Sequence, residues 1–309
     1  FMNSTPVSAP TPTNWLSIAV LGLIWGGTFM VIAVALRGYG PITVACARTT
    51  LGALTLLALC VALRRPWPRW STRLCGYVIV GALFSTAIPF VLLAWGQQHV
   101  PSAFAGLSMA AVPLFVLPFA HFMVPGDALS LRKTLGFLMG FAGALVLLGP
   151  GIFAAGSGDL VALGRLACLA AAMCYAISSI ATRLTPAIDA IVLSALGLLL
   201  GAVVLIPLML VVEGVPTPTE AVPTLAIILL GLVPTAFAAL LRVAVIRTAG
   251  PSFMTLVNYQ VPVWSMILGA LILSEALPGR FFAALALILT GLAISQWATL
   301  RDLRARGAI

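Results

Sequence analysis

The stretch TLVNYQVPVW, residues 255–264, places Asn258, Tyr259 and Gln260 side by side just before Pro262, inside an apolar run from 252 to 273 with no charged residue. An amide, a phenol and a carboxamide offer hydrogen bonds for recognising a polar solute. In hydrocarbon such groups are costly and mark function. Pro262 has no N–H, so the carbonyl of Asn258 loses its helical partner. An orphan carbonyl at membrane depth is tolerated only against protein or a wet cavity. At about 100° per residue, Thr255, Asn258, Pro262, Ser265 and Gly269 share a sector of about 80°. Tyr259 borders that sector, while Gln260 and Trp264 lie nearly opposite. Asn258 therefore either lines a cavity or bonds a neighbouring helix; Gln260 and Trp264 either pack or reach a cavity from the other face.

The same chemistry recurs elsewhere in the chain. Pro113 frees the carbonyl of Met109 beside Ser108, and Pro89 frees that of Ser85. Tyr175, Ser178, Ser179 and Thr182 form a helical stripe, with Gly22, Trp25, Gly26 and Phe29 on an equivalent face. The candidate solute-binding residues are thus Asn258, Tyr259, Gln260, Trp264, Trp25, Tyr175, Ser178, Ser179, Ser85, Ser108 and Met109. Gly22/Gly26, Gly136/Gly140 and Gly197/Gly201 have the small-xxx-small spacing of close helix contacts. Five cysteines lie in or beside apolar runs without CxxC spacing and read as packing residues. The chain has no HExxH, GxSxG, phosphate loop or Cys/His cluster. No metal, cofactor or catalytic residue is expected.

Such groups need helices to hold them. The 309 residues are 62% hydrophobic and 7% charged, with mean hydropathy +1.17, against roughly 25% charged residues in soluble domains. This is an all-α membrane protein with the lipid bilayer as its partner. Its net charge of +9 belongs to loops at a membrane face and not to nucleic-acid binding. Ten apolar spans fall at 14–36, 42–63, 74–98, 102–124, 131–149, 160–182, 190–213, 222–246, 252–273 and 279–300. Each is long enough for a hydrocarbon core about 30 Å thick. Residues 1–13, rich in Pro, Ser and Thr, read as a disordered N-terminus, and 301–309 as a basic tail.

Placing both termini and the even-numbered connections in the cytoplasm puts eleven basic residues there: Arg64, Arg65, Arg69, Arg73, Arg132, Lys133, Arg183, Arg247, Arg301, Arg304 and Arg306. Three, Arg37, Arg165 and Arg280, face outward. This asymmetry obeys the positive-inside rule. Arg48 and Arg242 stay within spans. Arg242 is expected to snorkel to the interface. Arg48 either anchors similarly, or holds helices or a solute carboxylate.

The chain repeats itself at an offset of about 150. GALFSTAIPFVLLAWGQQHVPS (81–102) lies over GLVPTAFAALLRVAVIRTAGPS (231–252), and Trp25 falls on Tyr175. With small shifts Pro113 matches Pro262, Asp127-Ala-Leu matches Glu275-Ala-Leu, and Gly143 matches Gly291. Two five-span units result, 14–150 and 160–300. Five is odd, so the units have opposite orientations, the pattern of secondary transporters whose site lies between inverted repeats.

The tandem five-span units, the Trp25-Gly26 pair, Arg48 early in span 2 and the prolines followed by Asp/Glu-x-Leu resemble the EamA-domain branch of the drug/metabolite transporter superfamily. Within it the chain is similar to the YddG-type exporters of aromatic and other amino acids. The resemblance implies a basket of ten helices, with spans 1, 3, 4, 6, 8 and 9 around a central cavity and spans 5 and 10 at the periphery.

Charge narrows the function. No Asp or Glu lies deep in a span, which argues against antiport of cationic drugs; few buried Lys or Arg argues against sugar phosphates. A neutral or zwitterionic, amino-acid-like solute remains, carried by a monomeric uniporter or exchanger in the plasma membrane that exports it by alternating access. Proton-coupled export of other metabolites and a pore are the alternatives. For coupling, His121 near the inner end of span 4 is the candidate.

Overall fold

A computed structural model of the chain describes residues 10–123, 130–149, 160–297, 301, 304 and 305. Among these residues, eight helices are long and apolar enough to cross a bilayer. They are α1 (Pro12–Ala35), α2 (Pro41–Ala62), α3 (Thr72–Gly96), α4 (Ser102–Met123), α5 (Leu131–Leu148), α6 (Leu160–Leu184), α7 (Ala190–Val212) and α8 (Ala221–Ala249). Two shorter apolar helices follow: α9, a first turn Pro251–Met254 continued by Val257–Leu273, and α10 (Gly279–Ser295). No strand occurs among the described residues. Residues 1–9, most of the basic tail and the Asp127-Ala-Leu match lie outside them.

The helix starts follow from local chemistry. Pro12 and Pro41 open α1 and α2, where a missing N–H costs nothing. Thr11, Ser71 and Ser130 accept backbone N–H bonds from Asn14, Leu74 and Lys133, satisfying orphan donors of the first turns of α1, α3 and α5. The helix α1 therefore begins inside the segment expected to be disordered. Gly149 and Gly250 close α5 and α8 with φ of 74° and 89°, a region that glycine enters without a Cβ clash.

Packing follows a regular scheme. The helices α5 and α10 lie together, as do α2 and α7, and α4 and α9. The helix α1 rests on α8 and α9, just as α6 rests on α3 and α4. Adding five to each helix number maps this scheme onto itself.

Glycines make the close contacts. A Cβ on Gly136 would meet the Gly291 carbonyl, one on Gly140 would meet Leu114, and one on Gly26 would meet Trp264 and the Val261 carbonyl. Gly22 and Gly201 likewise abut Gln260 and Thr86. Gly197 does not fit the expected pairing: a Cβ there would meet no atom within 4 Å. It leaves an opening instead of a contact.

At one face of the bundle Asp189 ties two connections and the last turn of α8 together. It caps α7, accepting from the N–H groups of Ile191 (2.9 Å) and Val192 (3.3 Å), and pairs with Arg65 and Arg247 at 3.4 Å each. Burial pushes the Asp189 carboxyl up. The two N–H bonds and the two guanidinium groups outweigh it and hold the carboxyl below the ordinary aspartate value. A carboxyl lowered on folding stabilises above its unfolded pKa of about 4, and that contribution fades as pH falls through the lowered value. Asp189→Asn should therefore melt below the wild type by a constant margin from pH 5 to 7, with the gap closing below about pH 4. Thermal unfolding in detergent across that range checks this; a pH-independent gap would show that the charge contributes nothing.

Candidate functional site

Prolines interrupt the helices that meet at the centre. In α8, Pro234 cannot donate to the Leu230 carbonyl, and Gly231–Phe237 widens into a π-helical turn. In α3 a π-helical turn, Leu83–Ala87, precedes Pro89, at nearly the equivalent place. Such turns shift the ladder by one residue and recur at functional sites. In α4 the chain tightens instead. Met109–Ala111 is a 3₁₀ turn, and the Val112 N–H takes the Met109 carbonyl that Pro113 leaves open. That carbonyl is thus occupied within its own helix.

The π turn of α8 anchors a polar cluster. Thr235 Oγ1 donates to the Leu230 carbonyl at 2.8 Å and accepts from Arg48 Nε at 2.9 Å. The Arg48 guanidinium also lies over the Phe90 ring, 3.9 Å from its centroid, a cation–π contact. Trp25 Nε1 donates to the Pro234 carbonyl at 3.3 Å. Tyr175 packs against the buried group that contains Phe90. One cluster thus draws on α1, α2, α3, α6 and α8. Arg48 is 7% exposed and bonded across to α8, so it is not an interface anchor. Gly52 makes room for Thr235, as Gly201 does for Thr86 of the other π turn.

Of the residues expected from sequence, the structure brings Trp25 and Tyr175 to this cluster. Ser85 lies half-buried in the π turn of α3. Ser178 is buried, and Ser179 is exposed with its hydroxyl on the Tyr175 carbonyl at 2.8 Å. Other residues serve packing. Ser108 is fully buried and bonds the Phe104 carbonyl at 2.9 Å. Gln260 and Trp264 lie in the α1–α9 seam against Gly22 and Gly26. Ser265 and Gly269 of the polar stripe on α9 abut Gly106, Ser102 and Ala103 of α4. Half-buried Tyr259 has a hydroxyl without a hydrogen-bond partner.

Asn258 stands apart. Around α9, at about 100° per residue, Val257, Val261, Ser265, Gly269, Pro262 and Met266 form a continuous buried arc. Asn258 sits in the middle of that arc and is exposed. The amide is thus exposed on the side of α9 that its neighbours bury.

At the opposite face from Asp189, two carboxylates that sequence reasoning left unassigned grip helix N-termini. Glu213, at the end of α7, accepts from Ile42 N–H (2.9 Å), Thr43 N–H (2.8 Å) and Thr43 Oγ1 (2.7 Å) at the start of α2. Glu275, after α9, accepts from Ser102 N–H (2.7 Å) and Ala103 N–H (2.9 Å) at the start of α4. Anions are favoured at such N-termini. The signal was present in sequence: each Glu follows a span, and each partner follows a proline, Pro41 or Pro101.

A model of the EamA-like transporter family matches residues 13–149 and again 162–296. The chain belongs to the EamA-like transporter family. This EamA-like chain is a multi-pass membrane protein. It is 29% identical over 295 residues to a probable terminal-alkyne amino-acid exporter of Streptantibioticus cattleyicolor, covering 92% of this chain and 95% of that one. It is 28% identical over 234 residues to the aromatic amino acid exporter YddG of Ancylobacter novellus, covering 75% and 77%. A solved crystal structure superimposes with a TM-score of 0.65 at 25% identity, covering 93% of this chain and 98% of the other.

Thr235 is the joint between helix break and cluster. Thr235→Val should lower the melting temperature in detergent, by about 1–2 kcal/mol of stability, while Thr235→Ser keeps both bonds and melts like the wild type. Equal melting of Thr235→Val and the wild type would contradict this role.

Proposed function

We propose that this EamA-like chain is a secondary transporter, a uniporter or exchanger, that moves amino acids, aromatic ones among them, and related small metabolites out of the cell by alternating access. The observation that carries the reading is the convergence of Trp25, Arg48, Phe90, Tyr175 and Thr235, from helices of both halves of the chain, at proline-broken turns. Irregular backbone inside a bilayer belongs where protein buries it or where it lines a cavity, and the second case is the one this reading takes. Aromatic walls beside hydrogen-bonding groups suit an amino-acid-like solute. The amino acid export named for two relatives agrees with that chemistry.

Ten spans in two inverted units, 14–150 and 160–300, give this function its mechanics. The double family match and the packing scheme that repeats after five helices support the inversion. The excess of basic residues at one face supports cytoplasmic termini in the plasma membrane. Within this reading Ser85, Ser179, Asn258 and Tyr259 line the path, and the chain acts as a monomer. Uncoupled transport is favoured because the described carboxylates Glu213 and Glu275 lie at helix ends, and His121 is exposed at one surface against Phe122.

Counterflow in proteoliposomes tests this with L-phenylalanine, L-threonine, uridine and glucose 6-phosphate. We expect counterflow of the amino acids, unchanged by an imposed pH gradient. Accumulation abolished by a protonophore would overturn the uncoupled mechanism, and absence of counterflow for all four would overturn transport of these solute classes.

A further inference from the structure

We infer that Arg48 is the carboxylate-binding residue of the cavity, and hence that a carboxylate is the group a solute must carry while its amino group is dispensable. The inference rests on the transport function proposed above and deepens it.

Arg48 holds a full positive charge about two turns into α2, which starts at Pro41, and is only 7% exposed. Burying a cation without an anion is costly. The described carboxylates are all committed or remote: Asp189 to Arg65 and Arg247, Glu213 to α2, Glu275 to α4, and Glu220 exposed in a connection. One hydrogen bond holds the guanidinium, from Nε to Thr235. Its terminal nitrogens have no acceptor among the described residues, and they are not among the fully buried atoms that lack a partner, so part of their surface stays accessible.

The surroundings fix how an anion can approach. The Phe90 ring covers one face of the guanidinium at 3.9 Å, and Thr235 holds Nε. The terminal nitrogens are left for an in-plane approach, the geometry in which a guanidinium pairs with a carboxylate through two parallel bonds. A lysine ammonium has no such fork. Tyr175 packs beside Phe90 and Trp25 bonds the Pro234 carbonyl, so both stand on the same cluster and supply apolar surface for a side chain. No described carboxylate stands there to bind an ammonium group, so the site recognises the acid and not the amine.

This sets an order of preference that a merely structural arginine would not. In wild-type proteoliposomes, unlabelled phenylpyruvate should compete with L-phenylalanine counterflow within a few-fold of L-phenylalanine itself. L-phenylalaninamide, which keeps the ring and the amine, should compete at least about tenfold more weakly, the loss expected of one charge-assisted pair. Arg48→Gln should raise the half-saturation concentration for L-phenylalanine by a similar factor and erase the preference for acid over amide. Arg48→Lys should restore it only in part. Equal competition by phenylpyruvate and the amide, counterflow of uridine alone, or an unchanged half-saturation in a folded Arg48→Gln would each overturn the inference. If Arg48→Gln does not fold, the wild-type competition series decides alone. Absence of counterflow for every solute would instead strike the transport reading.

Discussion

Backbone carbonyls in hydrocarbon must find a donor, because no water is there to supply one. Pro89, Pro113, Pro234 and Pro262 each remove a donor inside a helix of this bundle, and the structure around them is organised by how the loss is met. The helices α3 and α8 widen into π turns, α4 tightens into a 3₁₀ turn, and in α8 the Thr235 hydroxyl covers the Leu230 carbonyl. The hydroxyl that repairs the helix also holds Arg48. Helix repair and the polar cluster are therefore the same set of bonds.

Charge is distributed by the same economy. The carboxylates that sequence places beside spans end at helix N-termini, where backbone N–H groups compensate them: Glu213 on α2, Glu275 on α4, Asp189 on α7. Glu213 and Glu275 reach from the second half of the chain to helices of the first, tying the halves at one face. Asp189 ties the 2–3 and 6–7 connections and the last turn of α8 at the other. Within the bundle the cluster cation, Arg48, has no such carboxylate partner among the described residues; Thr235 and the Phe90 ring hold it instead.

Much of this was legible in the sequence. Apolar run length gave the helices to within a few residues, and the offset of 150 agrees with the equivalent seats of α1 on α8 and α9 and of α6 on α3 and α4. Trp25 and Tyr175 were singled out because helical spacing set them on polar or small faces, and the fold places both beside the Arg48 cluster. Gln260 and Trp264 were ambiguous because periodicity places a residue on a face without saying what that face meets; here it meets Gly22 and Gly26. Ser108 and Met109 were chosen for a carbonyl freed by Pro113, and a 3₁₀ bond, invisible to spacing, takes it up. Phe90 carried no polar signal at all. Its place under Arg48 depends on how α2 and α3 pack, a non-local contact that one-dimensional pattern cannot carry.

The central claim is that these broken helices enclose water-accessible space rather than a sealed seam or a lipid face. Asn258, exposed in the middle of a buried arc, reports on it directly. The decisive measurement is the reaction of Asn258→Cys, in a background lacking the native cysteines, with a membrane-impermeant thiol reagent applied separately to each side of the membrane. Labelling from the cytoplasmic side, slowed by saturating L-phenylalanine, is the result this account predicts. A cysteine unreactive from both sides would contradict it.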